Sequence, residues 1–508
     1  MRSLFSGILF GVIASLGIRE VSAQAANAQV HFQIVDQKSG RPSPCRIHLK
    51  DPAGKAVRAN PLPFFRDHFV CTGEVRLDLP LGPYWYEIER GPEYFAQTGN
   101  FTLSGDTNLA FKLERLADMA AEGWWAGDLH VHRPLPEIEL LMQAEDLHIA
   151  PVITWWNKQN LWLTNRIPAK PLVRFDKNRF YHVMGGEDER EGGALLYFHL
   201  SEPLSISRAT REYPSPLKFL AEAKQHKQAW ADIEKPFWWD APIWLASGRA
   251  DSIGLANNHM NRGGMLADEA WGRPRDAQRL PPPRGNGFWT QEIYYHILNC
   301  GLRVPPSAGS ASGVLPNPVG YNRVYVHTGK TLDWEEWWEG LRAGRSFVSN
   351  GPLLRCKANG QWLGHTFSAV KGREIKIEIR ADISGRDSIP SIEIIKNGKL
   401  ERAVPFQDWK RNGSLGPISF QESGWFLVRA IADDAKTFRF ASSAPFYVEI
   451  GQAKTRISKS SVQFFLDWVQ ERAHRVQLAD AIQKAEVLKD HEMARAFWEH
   501  RLTQANAE

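Results

Sequence analysis

The sequence predicts a multidomain protein in which a central α/β domain is flanked by two all-β sandwiches and followed by a helical segment. Its 508 residues correspond to about three domains at roughly 150 residues each. The hydrophobic fraction of 43% is ordinary for globular proteins and supplies material for large cores. Runs of alternating polar and apolar residues occur at both flanks, whereas strand-like and helix-like runs alternate between them.

The N-terminal residues 1–23 are predicted to be a signal peptide. Arg2 supplies a positive charge, residues 4–18 ("LFSGILFGVIASLGI") are apolar, and "VSA" before Gln24 has the small-residue pattern of a cleavage site. No later run is long and apolar enough to span a bilayer. We therefore expect an exported protein, periplasmic or extracellular, without a stable transmembrane segment after signal removal.

Residues 28–115 are predicted to form the first β-sandwich. "VHFQIVD" and "CRIHLKD" alternate and are separated by the turn cluster "QKSGRPSP". The D-x-x-S-G-x-P pattern from Asp36 and the L-x-x-G-x-Y pattern from Leu79 resemble the transthyretin-like, carboxypeptidase-regulatory domain. Cys45 and Cys71 fall in this region and could pair in an oxidising compartment, although their spacing alone does not establish a disulfide.

Residues 120–350 are predicted to form the α/β domain. Strand-like runs such as "IAPVITW" and "ALLYFHL" alternate with helix-like runs such as "PEIELLMQAEDL" and "LDWEEWWEGLRAG". This alternation is typical of layered α/β or barrel folds.

Residues 351–450 return to strand patterns and predict a second sandwich, and residues 460–508 are predicted to be helical. In the helical segment one apolar stripe has 3.6-residue spacing and is expected to pack on a neighbouring domain. The stripe consists of Val462, Phe465, Leu466, Val469, Ala473 and Val476.

The charge pattern argues against nucleic-acid binding. Sixty-two basic and 57 acidic residues leave a net charge of +5, and no block of like charge stands out. The four cysteines include no C-x-x-C pair, so a zinc site made of thiolates is not expected.

The segment "GDLHVH" predicts the start of a metal site. His130 and His132 are two residues apart, so on a strand both imidazoles lie on the same face and could bind one ion. Asp128 shares that face as a further ligand or as a residue that orients one.

Three segments resemble the polymerase-and-histidinol-phosphatase (PHP) superfamily, and within it the CehA/McbA-type metallohydrolases. They are "GDLHVH", "HVMGGEDEREGGALLYFHL" at 182–200 and "GLRAGRSFVSNGP" at 340–352. The resemblance covers roughly residues 120–450 and implies a distorted TIM-like barrel. It also implies that Glu187 is a metal-bridging carboxylate and that His199 is a later ligand. Such ligands suit zinc, manganese or iron. The alternative for Glu187 is a solvated acid in a loop.

Three departures from the family pattern predict a reduced site with one or two metals. Residues 154–157 are Thr-Trp-Trp-Asn, where the family has Thr-Asp-His-Asn. Residues 309–313 ("GSASG") lack the Asp and His of the family's Gly-Ser-Asp-x-His, and residues 234–236 are Glu-Lys-Pro where His-Pro is expected. Glu234, Asp240 and His259 are candidate replacements, with a salt bridge, a helix cap and a loop histidine as their respective structural alternatives.

Two functions follow from this pattern. The first is a metal-dependent hydrolase of ester-, carbamate- or phosphoester-type bonds, in which Asp128 or Glu234 orients or deprotonates the attacking water. The second is a catalytically degenerate extracellular binding protein for glycan or another polymer. In both, Trp155 and Trp156, together with Asp240 and His259, are expected to line the cleft for a small-molecule or glycan-like ligand, although most tryptophans are expected to fill cores.

Overall fold

The computed structural model describes residues 26–508. Across these residues the protein is multidomain and built mostly from β-sheets, together with eight α-helices. The predicted signal peptide lies outside the described residues. None of the helices in residues 26–508 combines the length and the apolar character needed to cross a membrane.

The N-terminal domain contains two sheets that share one apolar core, in which Phe32, Ile47 and Tyr84 are buried. Its strands are β1 (Asn27–Asp36), β2 (Cys45–Lys50), β3 (Phe64–Phe65), β4 (His68–Cys71), β5 (Glu74–Pro80), β6 (Gly82–Glu89), β7 (Gln97–Leu103) and β8 (Thr107–Leu113). One sheet has the order β5-β1-β8 and the other β3-β4-β2-β6-β7. Alternate residues of β5 are buried, as its sequence pattern predicts.

Cys45 and Cys71 are directly opposite each other on β2 and β4. Their sulfur atoms are 3.8 Å apart, and both residues are buried free thiols. The structure therefore places side by side the two cysteines that could pair, and no bond joins their sulfur atoms.

The central region alternates strands and helices, as the sequence indicates. Its strands are β9 (Trp124–Gly127), β10 (Ile149–Trp156), β11 (Gln159–Asn160), β12 (Leu172–Phe175), β13 (Arg179–Arg190), β14 (Gly193–Phe198), β15 (Trp230–Ile233), β16 (Ser252–Ala256), β17 (Met260–Asn261), β18 (Gly264–Met265), β19 (Pro306–Ala308), β20 (Arg323–His327) and β21 (Ser346–Ser349). Its helices are α1 (Ile138–Ala144), α2 (Pro216–Ala223), α3 (Ala241–Ala246), α4 (Gly285–Asn299) and α5 (Trp334–Arg342).

Several of these strands surround one interior. β10 pairs in parallel with both β9 and β13, and β15, β16 and β19 form a second parallel set, connected to the first by the antiparallel strand β14. The segment that follows β9 completes the ring, because the amide of Leu129 donates to the carbonyl of Ala308 and that of His132 to the carbonyl of Ser312. The segment after β9 and the carboxyl ends of β10 and β13 consequently meet at one end of the interior.

The C-terminal sandwich is joined to the central sheet. Its elements are β22 (Leu353–Ala358), β23 (Thr366–Ala369), β24 (Ile375–Ser384), β25 (Ser391–Lys396), β26 (Lys399–Pro405), α6 (Phe406–Asn412), β27 (Ser414–Phe420), β28 (Gly424–Ile431), β29 (Phe440–Ser443) and β30 (Phe446–Ile450). β22, β24 and β27 form a separate sheet, whereas β29 pairs with β21. One face of the sandwich is thus an extension of the central sheet across the expected boundary at residue 350.

The C-terminal segment is a pair of helices, α7 (Lys459–Arg475) and α8 (Ala481–Thr503), rather than one. Five of the six residues of the apolar stripe, Ala473 excepted, are buried, so the stripe packs as expected. Buried Arg472 of α7 forms ion pairs with Glu212 and Asp240 of the central domain, at 2.6 and 2.7 Å. The indole nitrogen of Trp498 donates to the carbonyl of Pro242, so both helices are fixed to the central domain.

Candidate metal centre

Three predicted ligands converge at the end of the interior described above. The Nε2 atoms of His130 and His132 are 2.9 Å apart. The Oε2 atom of Glu187 is 3.4 Å from the first and 3.1 Å from the second. The three side chains are at most 9% exposed. Buried imidazole and carboxylate groups that could hold a metal ion are therefore present.

The three separations fit a divalent metal. Bonds of about 2.1 Å place neighbouring ligand atoms about 3.0 Å apart in octahedral coordination and about 3.4 Å apart in tetrahedral coordination. The observed range of 2.9–3.4 Å spans these values. Two histidines and one carboxylate are also a donor set that zinc and iron use at sites with open positions for water or substrate.

The local sequence explains how the two histidines are placed. They follow β9 in an extended segment, and Val131 between them forms bridges to Val152 on one side and to Ser312 on the other. A side chain at position 309 would bring Cβ to 2.4 Å from Cβ of His130. Gly309 is therefore required for this close approach. The "GSASG" segment, which lacks the family's ligands, instead supports the backbone of the histidine segment.

Glu234 orients His130 and is held by several donors. Its Oε1 atom is 3.3 Å from Nδ1 of His130. The same oxygen accepts hydrogen bonds from Lys235 at 2.5 Å and from Asn258 at 2.7 Å, and the Oε2 atom accepts one from the indole of Trp238 at 2.9 Å. A carboxylate on the second nitrogen of a ligand histidine fixes the ring and raises its basicity. Glu234 is placed to orient a ligand, and its predicted salt bridge to a neighbour is present as well.

The charges of the site favour a protonated His130 beside an ionised Glu187. Burial lowers the pKa of His130, but Glu187 and Glu234 outweigh it and raise that pKa to about 10. Burial likewise opposes ionisation of Glu187, while His130 and then His132 lower its pKa to about 2. For His132, burial is the largest effect and its pKa is lowered. Glu187 and His132 are thus in the carboxylate and neutral imidazole forms that bind metals, whereas His130 is protonated at neutral pH and would release its proton when a metal binds.

Asp128 has a different role from the catalytic one predicted. Its carboxylate accepts hydrogen bonds from the backbone amides of His130, Ser310 and Gly320 at 3.0, 3.0 and 2.7 Å, and from the hydroxyl of Ser310 at 2.5 Å. Both oxygens are thus engaged by the loops beneath the histidine segment. We correct the expectation: all four hydrogen bonds come from the protein's own groups, so Asp128 organises these loops and the backbone of His130.

The structure does not bring His199 to the ligand group. It follows β14, and its ring packs on Trp334, Trp338 and His182, with centroids 5.2, 4.5 and 6.0 Å away. The first two residues belong to helix α5, outside the sheet. In the β13–β14 pairing the residue opposite Glu187 is Leu196. His199 lies three residues further along the chain, just after the end of β14, and contacts another layer. His199 is therefore corrected from a metal ligand to a buried aromatic contact.

The two tryptophans of "TWWN" point to opposite sides of β10. Trp155 is 2% exposed and its indole fills the space over Gly186, where a Cβ would lie 1.8 Å from the ring. Trp156 instead contacts the ring of His132 at 5.1 Å, and its indole nitrogen donates to Glu189 at 3.0 Å. Because neighbouring strand residues face opposite sides, only Trp156 lies beside the ligand histidines, and Trp155 is part of the core. A cleft wall at Trp156 stays a prediction.

The other two candidates lie away from the ligand atoms. Asp240 pairs with Arg472 and provides no side-chain cap to α3, so it fixes the C-terminal helices to the domain. His259 is buried against Phe237, with ring centroids 5.2 Å apart. Its pKa is lowered to about 3 by burial and then by Lys235. Among the described residues His259 is not in the group of potential ligands.

Two acidic residues near the site were not singled out from the sequence. Glu189 is partly exposed, and burial together with Glu187 and Glu234 raises its pKa to about 7. Asp232 is buried beneath the site, where burial raises its pKa to about 7 and Ser252 and Ser307 donate to it. For Glu189 the sequence did contain a signal: it is two residues from Glu187, so on a strand the two carboxylates share one face.

A second group of potential ligands, His48, Asp67 and His68, lies in the N-terminal domain. The Nδ1 atoms of both histidines already face Asp67, at 3.2 and 2.9 Å, and Arg46 donates to the remaining nitrogen of His48. Hydrogen bonds account for this group without an ion, which makes His130, His132 and Glu187 the stronger metal candidate.

Comparisons of the chain with protein-family models, with curated proteins and with solved structures gave no match.

Proposed function

We propose that this protein is a metal-dependent hydrolase of the PHP type with a reduced site, which holds one divalent ion through His130, His132 and Glu187. The observation that carries the proposal is the mutual 2.9–3.4 Å spacing of three buried ligand atoms. The "GDLHVH" motif and the carboxylate on the following "GGEDER" strand agree with this family. Export by the predicted signal peptide is part of the same proposal.

A bound divalent ion would lower the pKa of water and polarise a substrate carbonyl or phosphoryl oxygen. The protein's own residues would hold and orient the reactants around it. Glu234 fixes the ring of His130. Glu189 and the indole of Trp156 lie on the more exposed side of the ligands, next to His132. Glu189 is therefore the carboxylate best placed to accept a proton from an attacking water.

The substrate class proposed is a small ester, carbamate or phosphoester. Three protein ligands on one ion resemble hydrolytic sites that act on carbonyl compounds more closely than sites with several metals that clamp a phosphate. Ester and carbamate substrates are accordingly favoured over phosphomonoesters.

The alternative, a degenerate glycan-binding protein, has less support. It requires an exposed aromatic cleft, but Trp155, Trp238, Trp239 and Trp244 are all at most 4% exposed. An exposed set of aromatic rings on this face would have favoured glycan stacking.

The test is metal content with a matched control. The mature protein and its His130→Ala, Glu187→Ala and His199→Ala variants are loaded with zinc, manganese or iron(II), desalted, and analysed by mass spectrometry. We expect about one ion per chain in the wild type and in His199→Ala, and loss in the other two. Loaded wild type is then screened against ester, carbamate and phosphoester substrates. Absence of metal from the wild type, or its retention in Glu187→Ala, would contradict the proposal.

A further inference from the structure

A small cavity lies where the N-terminal, central and C-terminal domains meet, and it is lined by an excess of arginines. Its volume is about 30 Å³, enough for one or two water molecules or one ion of similar size. Guanidinium groups from all three domains surround it: Arg46, Arg262, Arg323, Arg386 and Arg439. This cavity is separate from the metal centre and independent of the proposed hydrolase activity.

Three carboxylates share the lining, and they do not balance the arginines. Glu89 is the common partner of Arg46, Arg262 and Arg386. Glu145 pairs with Arg46, and Asp387 pairs with Arg439 at 2.7 Å. Five cations therefore face three anions. Two further carboxylates outside the lining, Glu87 beside Arg262 and Asp434 beside Arg439, bring the numbers to five and five. None of these five carboxylates forms an ion pair with Arg323, so the negative charge is unevenly distributed.

Arg323 is the arginine of this lining that forms no ion pair in the described part of the chain. It is 1% exposed and donates only to backbone carbonyls, those of Gly320 at 2.5 Å and Glu145 at 3.2 Å. Its Nη2 atom is buried and has no hydrogen-bond partner within residues 26–508. A buried cation without a counter-charge is costly. An acceptor placed in the cavity would offset this cost.

A second unused donor belongs to the same lining. The Nε atom of Arg439 is buried and likewise without a hydrogen-bond partner in the described part of the chain. The distance from this Nε atom to the Oδ2 atom of Asp434 is 3.8 Å, which is beyond hydrogen-bond length. Arg439 comes from the C-terminal sandwich and Arg323 from the central domain, so a ligand between them would bridge two domains.

We propose that this cavity binds a monovalent inorganic anion of about the size of chloride, and that the bound anion stabilises the junction of the three domains. A small anion fits the volume, supplies a counter-charge for Arg323 and accepts from several N–H groups at once. Organic acids of the size of gluconate would not fit without displacement of the lining. Water alone would satisfy donors but would leave Arg323 without a counter-ion.

The test compares sodium chloride with sodium gluconate at equal ionic strength, since gluconate is too large for the cavity. We expect the thermal unfolding midpoint to rise with chloride by about 2–5 °C at saturation, and not with gluconate. Arg439→Gln should need at least ten-fold more chloride for half of the shift. Arg279→Gln, which removes an exposed ion pair with Glu292, should respond as the wild type does. Equal effects of the two salts, or an unchanged response of Arg439→Gln, would overturn the proposal.

A second measurement does not depend on the stability of any variant. Crystals of the wild type grown or soaked in sodium bromide should show an anomalous peak beside Arg323 and Arg439. A cavity that contains only water at high bromide concentration would overturn the proposal.

Discussion

The orienting role of Glu234 gives the sharpest prediction about the metal centre. Glu234→Gln keeps the size of the side chain and removes its charge. The contact of 3.3 Å to Nδ1 of His130 then loses its carboxylate, and the ring is held by a weaker acceptor. Removal of such a partner typically weakens metal binding 10- to 100-fold, or about 1.4–2.7 kcal/mol. We therefore expect the dissociation constant for zinc to rise by this factor.

The matched control for this prediction is Glu212→Gln. Glu212 is also a buried carboxylate in an ion pair with a cation, Arg472, but it contacts none of the metal ligands. Both variants are titrated with zinc in competition with a chromophoric chelator at neutral pH. Circular dichroism establishes that both are folded. The reasoning is refuted if Glu234→Gln binds zinc within twofold of the wild type, or if Glu212→Gln weakens binding equally.

Three further predictions concern stability and oxidation state. Arg472→Met leaves Glu212 and Asp240 buried without their cation, so unfolding in urea should require about 3–5 kcal/mol less, and an unchanged midpoint would contradict this. The pKa of His148 is lowered to about 3 by burial and then by Arg179, so the folded protein binds fewer protons than the unfolded chain between pH 3 and 6.5. Stability should therefore fall as pH decreases below 6.5, by about 2 kcal/mol at pH 5 from this group, and a His148→Asn variant should show a smaller loss. Cys45 and Cys71, with sulfurs 3.8 Å apart, should form a disulfide when the protein is produced in an oxidising compartment. Intact mass before and after reduction would reveal a difference of two hydrogen atoms. Alkylation of the denatured protein should label two thiols, those of Cys300 and Cys356, whereas labelling of all four cysteines in the oxidised sample would rule the disulfide out.

The sequence alone determined where several strands lie in the chain and that the two histidines of the metal centre share one face. Alternation of polar and apolar residues located β1, β5 and β24, because a strand with one buried face has a period of two. The same period placed His130 and His132 on one face. Local spacing was sufficient for these inferences because they concern neighbouring residues of one strand.

Tertiary structure decided which residues from other segments join the two histidines. Glu187 is 57 positions from His130, and it reaches the ligand group because β13 pairs in parallel with β10. His199 was an equally reasonable ligand by residue type. It lies three residues beyond Leu196, the residue opposite Glu187, which is about 10 Å of extended chain, and its ring packs against helix α5.

Three carboxylates show the same difference between what the sequence indicates and what the tertiary structure decides. Asp128, Glu234 and Asp240 have similar chemistry and could not be distinguished by sequence. In the folded protein the first holds two loops, the second orients His130 and the third anchors α7. A side chain's partners are set by which strands and helices pack together, and that packing depends on contacts between residues far apart in the chain.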